Sequence, residues 1–303
     1  MAAANMKAVK NRIRSVQNTM QITRAMQLVA ASKLRRAKDR ADASKPYLQA
    51  LRGTLRKIAL NNMDFTSPYV RDVENDKWLY IVIAGDRGLA GGYNANLFKF
   101  VEAETQGRDI EVLPVGKKAV EYFKHRNVPI FTEEFAEAAK VKVSDCFEMA
   151  RQICEAYSSG RYGHVFMCYT DFISMLNQKP TATNMLPLSD FGSAEAAAED
   201  VQTEAGEDAA ASDQSGAKEF ILYEPDSETV FNHIVPEYLA GLMSTAINIS
   251  VASELAARRT AMEAATDNAG EMIEKLNLYY NRARQASITQ ELTEIVAGSG
   301  TTG

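Results

Sequence analysis

Apolar residues recur at helical spacing along the first part of the chain. The stretch from Met1 to Lys45 contains neither proline nor glycine and is rich in residue types that favour helices. Within it, apolar and small residues alternate in steps of four and three, which predicts a seam that packs against a second helix. The seam comprises Val9, Ile13, Val16, Met20, Thr23, Gln27, Ala30, Leu34, Ala37 and Ala41, beside a second stripe of Ile22, Met26 and Val29.

The C-terminal part of the chain repeats this pattern. No proline follows Pro236, and the apolar spacing predicts a second helix from about residue 237 to 297. Helices of about 40 and 60 residues would be about 60 and 90 Å long, whereas a compact chain of this size has a radius of gyration of about 19 Å. We therefore expect an antiparallel coiled coil, much of which projects from the body of the protein. Its second seam is predicted at Ala265, Ala269, Met272, Leu276, Tyr279, Ala283, Ala286, Gln290 and Thr293.

The middle of the chain alternates between strand-like and helix-like segments. Short apolar runs such as Trp78–Ala84 and His164–Thr170 are typical of buried strands. Strands that alternate with helices favour a mostly parallel, Rossmann-like sheet that is covered on both faces. The predicted strands are 78–84, 110–115, 128–131, 164–170, 181–187 and 220–224, and the predicted helices are 93–104, 117–126 and 143–158.

These patterns predict the fold class and three domains. We expect an α/β protein in which the N- and C-terminal helices form a coiled-coil shaft beside a central sheet domain. The predicted boundaries are 1–60 for the first helix, 61–230 for the central domain and 231–303 for the second helix. Within the central domain, residues 192–218 are acidic, low in complexity and free of aromatic side chains. Such a segment buries too little apolar surface to fold alone, so we predict a mobile loop there.

Charge divides the chain more sharply than its net value of −5 suggests. Residues 1–60 carry 14 Lys and Arg but only two acidic residues, whereas the rest of the chain is acidic overall. A basic helix of this kind is consistent with three roles: the solvated outside of a coiled coil, a nucleic-acid-binding surface, or a shaft inside an acidic protein cavity. Charge alone leaves these alternatives open.

Several functional classes find no support in the residues. No window has 18 consecutive apolar residues and the N-terminal region is charged, so we expect neither a transmembrane helix nor a signal peptide. The cysteines form no C-x-x-C pair and are expected to be reduced core residues, and no histidine has metal-ligand spacing. We therefore expect no metal, no cofactor and no catalytic centre. The residues considered are Cys146, Cys154, Cys168, His125, His164 and His233.

The glycine-rich loop from Gly85 to Gly92 needs separate consideration. It lies between a predicted strand and a predicted helix, where α/β proteins commonly bind phosphates. However, its sequence matches neither the G-x-G-x-x-G pattern nor the P-loop pattern. We interpret it as a tight turn in which Asp86 and Arg87 form a salt bridge or contact a partner. The alternative is a nucleotide-binding enzyme that uses this loop.

Longer strings of residues narrow these alternatives. They are Arg14–Thr19 continued by Ile22–Met26 and Val29–Leu34, the loop Gly85–Asn94, and Ala264–Ala269 followed by Tyr280–Ile295. Together they resemble the gamma subunit of F-type ATP synthases of the bacterial type. The strings occur in the same order as in that family and span almost the whole chain, which makes the resemblance far more specific than any single motif.

The resemblance implies a non-catalytic rotor subunit. The terminal helices would form an asymmetric shaft within a ring of three alpha and three beta subunits, and ATP would be made on the beta subunits. The α/β domain would form a foot above the c-ring, beside the epsilon subunit. No nucleic acid would be a partner, and the chain would reach the membrane only through the Fo sector. Because no transit peptide is evident, we expect it on the cytoplasmic face of a bacterial plasma membrane.

The resemblance also implies contact residues on the shaft. Met26 matches a shaft position where added positive charge disturbs coupling in the family. Basic residues near Arg36 would face acidic residues of the beta subunits. The positions that match contacts between the family's last helix and a beta subunit are Arg284, Gln285, Thr289 and Glu291.

A second contact region is implied for the foot. The stretch Phe220–Asp226, and within it Tyr223 and Glu224, resembles the part of the family's foot that rests on the c-ring and epsilon. The chain lacks the cysteine pair of the redox-regulated chloroplast forms. Thiol switching is therefore not expected.

Overall fold

A computed structural model describes residues 2–60, 67–71, 73–188 and 223–299 of the 303-residue chain. The predicted acidic loop 192–218 and residues 220–222 lie outside these ranges. The chain divides into two compact units. One, which we call the coiled-coil unit, comprises Met1–Lys33, Leu89–Gly91 and Leu255–Gly303. The other, which we call the sheet unit, comprises Leu34–Gly88 and Gly92–Glu254.

The helices and strands follow the order that the sequence predicts. The predicted helices 93–104 and 143–158 match the structure, and the one at 117–126 ends one residue earlier. In chain order the elements are α1 (Ala2–Leu60), β1 (Lys77–Ile83), α2 (Tyr93–Glu104), β2 (Asp109–Val115), α3 (Lys117–His125), a 3-10 turn (Ala138–Lys140), α4 (Val143–Ser158), β3 (His164–Phe172), β4 (Gln178–Leu186) and α5 (Ser227–Ser299).

Burial in the coiled-coil unit confirms the predicted seam of α1. Val9, Val16, Thr23 and Ala30 are buried, and the seam positions between them are partly buried. The hydroxyl oxygen of Thr23 lies 2.7 Å from that of Thr266, so the seam of α1 meets α5 at this level. The lysines and arginines of α1 in this unit are all exposed. The basic charge of the first helix therefore lies outside the seam.

The seam of α5 is only half as predicted. Positions 265, 269, 276 and 283 are turned inward as expected, three alternate positions fall one residue later than predicted, and the predicted Gln290 and Thr293 are exposed. Met272, Tyr279 and Ala286 are exposed, whereas their C-terminal neighbours are partly or fully buried. In two of these three cases, both the predicted residue and its neighbour are apolar or aromatic, so hydrophobicity alone does not show which of the two faces inward. The neighbours that face the seam are Ile273, Tyr280 and Ser287.

In the sheet unit, α1 and α5 run antiparallel. The Ser44 hydroxyl lies 2.9 Å from that of Thr245. One turn further along α1, Leu48 approaches Gly241 so closely that a Cβ at the glycine would lie 3.3 Å from Leu48 Cδ1. Small residues at this contact therefore allow close approach of the two helices.

Both terminal helices pass through a proline, so that α1 fills its predicted range of 1–60 and α5 starts earlier than predicted. α1 continues beyond Pro46 to Leu60, and α5 begins at Ser227, about ten residues before the predicted start. A proline inside a helix costs about 3 kcal/mol, but full burial of one large apolar side chain contributes about 1.5–3 kcal/mol. Burial on the additional turns therefore outweighs the cost. Four large side chains are fully buried there, Leu55 and Ile58 of α1 and Phe231 and Val235 of α5.

Asp226 caps the start of α5. Its carboxylate accepts hydrogen bonds from the backbone N–H and the hydroxyl of Thr229, at 2.7 and 2.8 Å. These bonds hold the pKa of Asp226 below its usual value. The sequence therefore contains a start signal for this helix, namely an acidic N-cap residue three positions before a threonine.

The sheet is mostly parallel, as predicted, with the strand order β2-β1-β3-β4. β1 runs parallel to β2 and β3, whereas β4 pairs with β3 in the antiparallel direction at the edge. The predicted strand 128–131 is wrong, since a single bridge joins Val112 to Ile130. Pro129 has no N–H, so this segment cannot continue a ladder. Tyr223 and Glu224, the described end of the predicted strand 220–224, are not in a strand either.

Alternate residues of β1 enter different hydrophobic clusters, as expected for a sheet covered on both faces. Leu79 and Ile81 belong to the larger cluster, which includes residues of α1, α4 and α5. Tyr80 and Val82 belong to the smaller cluster, which includes residues of α2 and α3. The sheet unit is therefore a layered α/β arrangement in which both terminal helices help to cover one face.

The cysteines occupy the predicted core positions. Cys146, Cys154 and Cys168 are buried and unpaired. Burial raises the pKa of each thiol to about 12. Because the thiolate is the reactive form, these thiols are inert at neutral pH.

One part of α5 is both long and apolar. Between Ser227 and Thr293, an 18-residue window has a mean hydropathy of 1.3, which would suffice for a membrane span by length and composition. However, 67% of this window is buried inside the protein. Packing within the protein therefore accounts for its apolar character.

A buried carboxylate on β2 is neutralised by two cations. Glu111 is only 4% exposed, with Lys77 Nζ 2.8 Å from Oε2 and an Arg161 guanidinium N–H that donates to Oε1 at 2.7 Å. Burial raises the pKa of Glu111. The contact with Lys77 and the charge of Arg161 lower this pKa by more than burial raises it, so that it lies below its usual range. This carboxylate is therefore ionised in the folded protein.

We expect Glu111→Gln to lower the free energy of unfolding by about 1–3 kcal/mol, because it leaves two cations without their counter-ion. Both cations are partly exposed and regain water, which keeps the loss moderate. Urea unfolding of the purified chain measures the change. Glu121→Gln is the matched control, since the exposed Glu121 carboxylate pairs with Lys118 at 2.6 Å and should matter little.

The pH dependence of the same variant tests the cause. The folded pKa of Glu111 is lowered, so its stabilisation is fully present above the unfolded value of about 4.3 and is lost as the pH falls through the folded value. The difference between the parent and Glu111→Gln should therefore shrink below about pH 5. A difference that stays constant down to pH 3 would show that charge is not its origin.

Candidate functional site

The carboxylate of Asp86 lies at the N-terminus of α3, a position that commonly binds phosphate. A helix N-terminus attracts negative charge, and here the carboxylate of Asp86 supplies that charge in place of a bound ligand. The Asp86 oxygens accept hydrogen bonds from the backbone N–H groups of Lys117, Ala138 and Ala139, at 3.2, 2.9 and 3.0 Å.

The start of the glycine-rich loop is also closed by internal contacts. The Gly85 N–H donates to Asn94 Oδ1 at 2.9 Å, so this donor does not point to an open site. The salt bridge expected between Asp86 and Arg87 is replaced by the three backbone contacts of Asp86, and Arg87 is exposed. The tight-turn interpretation therefore fits residues 85–88 better than a phosphate site.

The described ranges offer no constellation for metal or acid–base chemistry. Within them, no group of three or more His, Cys, Asp or Glu side chains could hold a metal ion. A cavity of about 510 Å³ in the sheet unit lies between α1, α4 and α5. Its titratable lining groups are Arg40, Lys142 and Cys146, and burial raises the pKa of that thiol to about 12. These groups include no acid–base pair that works near neutral pH.

The predicted contact residues near the end of α5 are brought together on an exposed surface. The Thr289 hydroxyl donates to the Gln285 carbonyl oxygen at 2.9 Å, which uses it within the helix. Neighbouring seam residues Ala283 and Ser287 are partly or fully buried. All four predicted residues are exposed over about two turns, namely Arg284, Gln285, Thr289 and Glu291.

Sequence reasoning missed four apolar side chains on the same turns. Ile288, Leu292, Ile295 and Val296 are between 48% and 70% exposed. Steps of three and four residues place them beside the predicted polar contacts on the helix surface. We call residues 284–296 of α5 the contact face. Apolar side chains interspersed with Arg, Gln and Glu have the composition of a protein interface. The available signal was that these apolar residues fall outside the seam.

Met26 lies on a second exposed stripe of the coiled-coil unit. It is partly buried, and its neighbours Ile22 and Val29 are 60% and 55% exposed. Because the three are spaced by four and three residues, they share one side of α1, as the sequence predicts. In the sheet unit, Arg36 is exposed, as are Arg35 and Lys38.

The two residues predicted for the foot lie in the sheet unit. Tyr223 is partly buried against the larger hydrophobic cluster, and Glu224 is exposed. They precede Asp226, the cap of α5, by three and two residues, respectively. The structure therefore separates the predicted contacts by unit, with Met26 and the α5 positions in the coiled-coil unit and the other two in the sheet unit.

Known proteins share this sequence over nearly its whole length. A family model described as ATP synthase matches residues 5–301. An ATP synthase gamma chain of Ruminococcus albus is 42% identical over 303 residues, covering 98% of both chains. One of Heliobacterium modesticaldum is 37% identical over 300 residues, covering 98% of this chain and 99% of the relative.

Solved structures share the fold. A chain of the Euglena gracilis mitochondrial ATP synthase, determined with OSCP, F1 and the c-ring, has a TM-score of 0.66 at 18% identity. The match covers 99% of this chain and 95% of the Euglena chain. A chain of the rotor of the same enzyme has a TM-score of 0.60 at 16% identity. This match covers 94% of this chain and 99% of the rotor chain. With relatives of 37–42% identity along almost the entire length, this chain belongs to the ATP synthase gamma chain family.

Proposed function

We propose that this chain is the central rotor shaft of an F-type ATP synthase, which couples proton-driven rotation to ATP synthesis on other subunits. The observation that carries the proposal is the contact face of α5, where apolar and charged side chains are exposed together on a coiled coil. Family membership supports it, because the relatives are gamma chains. The chain itself is not catalytic, in keeping with the internal closure of its glycine-rich loop.

The shaft acts through its asymmetry. A catalytic subunit that interconverts between open and closed forms responds only to a contact that favours one form over the other. A symmetric rod would favour all subunits equally and would change nothing. The exposed stripe at Met26 and the contact face of α5 lie on particular sides of the coiled coil, so each surrounding subunit meets a different surface. Rotation then moves the favoured conformation from one subunit to the next.

The composition of these surfaces suits a contact that must form and break repeatedly. Exposed charges on α1 attract at long range and are screened by salt, so they contribute little to each close contact. The exposed apolar side chains of the contact face are aliphatic and lack the aromatic anchors typical of permanent interfaces. Both properties favour a partner that slides over the shaft.

We place the chain within a ring of three alpha and three beta subunits, with the epsilon subunit and the c-ring at the sheet unit. Tyr223 supports this second contact because it is anchored in the larger cluster, while the adjacent Glu224 is exposed and can reach a partner. The complex lies at the cytoplasmic face of a bacterial plasma membrane. The chain reaches the membrane through the Fo sector, and no nucleic acid takes part.

Purification of the complex tests the proposed function. Alpha, beta, epsilon and c subunits should co-purify with a tagged copy of this chain from detergent-solubilised membranes of its own cells. Binding of the isolated chain to DNA should be lost at physiological salt, because a coiled coil with scattered basic residues holds nucleic acid only by charge. Absence of the ATP synthase subunits, or tight DNA binding at physiological salt, would overturn the proposal.

Met26→Lys tests the stripe on α1. A positive charge beside the exposed Ile22 and Val29 should strengthen the contact in one rotor position and hinder release from it. We expect ATP hydrolysis by the assembled complex to persist, while proton pumping per ATP in proteoliposomes falls several-fold.

Gln21→Lys is the control for Met26→Lys, since it adds the same charge at an exposed position about 140° away around the helix. It should leave pumping per ATP unchanged. Equal pumping by parent and Met26→Lys complexes would mean that Met26 does not lie at a coupling contact.

Arg284→Ala tests the contact face of α5. Loss of an interface arginine typically costs more than 1 kcal/mol, so ATP synthesis by the reconstituted complex should fall by about tenfold. Lys275→Ala removes one positive charge from an exposed position about 180° from Arg284 around the helix and about 2.5 turns before the contact face, and it should retain most activity. If both variants lose activity equally, general charge rather than this face is responsible.

A further inference from the structure

The part of α5 that lies in the sheet unit is enclosed by protein near its C-terminal end. Three consecutive residues, Ala252, Ser253 and Glu254, are buried. Successive residues of a helix point about 100° apart, so burial of three in a row covers more than half of its circumference. The helix is therefore embedded in the sheet unit at this level.

A buried hydrogen-bond cluster joins this part of α5 to the start of α2. Ser250 is 1% exposed and Tyr93 is 5% exposed. The Tyr93 hydroxyl oxygen lies 2.7 Å from the Ser250 hydroxyl oxygen and 3.1 Å from the Ser250 carbonyl oxygen. A side chain of the sheet unit thus holds both the side chain and the backbone of one residue of α5.

The same serine is joined to the sheet itself. The Ser250 hydroxyl donates to the carbonyl oxygen of Ile83, the last residue of β1, at 3.3 Å. One turn further along α5, the buried carboxylate of Glu254 approaches Gly85 so closely that a Cβ on the glycine would lie 2.9 Å from it. The contact of α5 with the end of β1 and the following loop is therefore close as well as polar.

Hydrogen bonds resist rotation of a helix in a way that apolar packing does not. Apolar contacts are non-directional, whereas a hydrogen bond weakens steeply with distance and angle. A turn of about 10° about the helix axis moves a hydroxyl about 4.5 Å from that axis by about 0.8 Å, enough to break a short hydrogen bond. Water cannot replace the lost partner at a buried site.

We infer that Tyr93 and Ser250 form the torsional anchor between the sheet unit and α5. This inference rests on the proposed function, in which the sheet unit receives torque from a ring in the membrane. Directional bonds from Tyr93 and to Ile83 fix the rotational setting of α5, and the helix continues without a break beyond Glu254. Tyr93 and Ser250 are positioning residues that determine the torsional stiffness of the connection between the sheet unit and α5.

The anchor is tested by measuring torsional stiffness in the assembled complex. The ring is immobilised with the rotor stalled in the absence of nucleotide, and a bead is attached to the exposed C-terminal end of α3 through His125→Cys. The angular variance of the bead reports the twist of the rotor. Tyr93→Phe and Ser250→Ala should each raise this variance by about twofold, because each removes the 2.7 Å contact between the two hydroxyls and one of the two longer contacts. The double variant should raise it further.

Tyr122→Phe is the matched control. It also removes one tyrosine hydroxyl, but that hydroxyl donates to the exposed Glu102 at 2.6 Å on the surface of the sheet unit. Its variance should equal that of the parent. A merely structural role for Tyr93 and Ser250 would lower the melting temperature and leave the variance unchanged at temperatures well below melting.

The outcomes separate this inference from the proposed function. If the parent chain does not assemble with the ring, the proposed function fails and the anchor fails with it. If the parent assembles and rotates but the double variant has the parental variance, the anchor alone is wrong. Ser250→Cys provides a further variant of similar volume with a weaker hydrogen-bonding group, and its variance should lie between those of the parent and Ser250→Ala.

Discussion

The burial of α5 changes along its length, and the rest of the structure depends on this change. In the sheet unit, the helix from Phe231 to Glu254 contributes buried side chains at most turns, including Val235, Leu239 and Met243. In the coiled-coil unit, from residue 263 onward, the seam positions are covered and most other positions are open to solvent. One continuous helix therefore serves as a core element at one end and as a half-exposed surface at the other. The apolar residues of its two parts therefore differ in environment, since those of the first part pack into the fold whereas Ile288, Leu292, Ile295 and Val296 near the end are exposed.

The sequence predicted most of the sheet unit because its local signals agree with its tertiary structure. Apolar runs became β1, β2 and β3, and the intervening periodic segments became α2 and α4 within one or two residues of the predicted bounds. The prediction failed where a distant contact decided the outcome. Pro236 is a local stop signal and set the predicted start of α5 too late, but burial of Phe231 and Val235 keeps the helix intact before it. In the segment after α3, by contrast, Pro129 interrupts hydrogen bonding and no ladder forms beyond one bridge.

The seam of α5 shows why pattern alone has limited resolution. Met272 and Ile273 are both apolar, and Tyr279 and Tyr280 are identical, so the sequence contains no information on which member faces the partner helix. A rotation of about 100° separates the two choices, and only packing against α1 selects one. The seam of α1 was predicted correctly because its heptad spacing is continuous, and Ile13, Leu34 and Ala37 have basic residues on both sides that exclude their neighbours as inward positions.

The contact residues were beyond the reach of residue chemistry. Arg284, Gln285, Thr289 and Glu291 are ordinary exposed residues of a helix, and only their resemblance to a family pattern singled them out. The structure added the exposed aliphatic side chains between them, which become visible once the seam is known. A surface that binds a partner through ordinary exposed side chains needs no pair of catalytic groups, so this usual physical marker of a functional site does not apply to it.

The Asp86 carboxylate has a consequence for how the sheet unit responds to the cell. In α/β proteins that bind phosphate at a helix N-terminus, a diffusible ligand completes the loop, and the loop's rigidity varies with the ligand's concentration. Here the anion is covalently part of the chain and cannot dissociate. The region around the glycine-rich loop is therefore equally stiff when nucleotide is scarce and when it is abundant. A rotor that connects to sites of changing nucleotide occupancy is thereby insulated from the metabolite whose synthesis it drives.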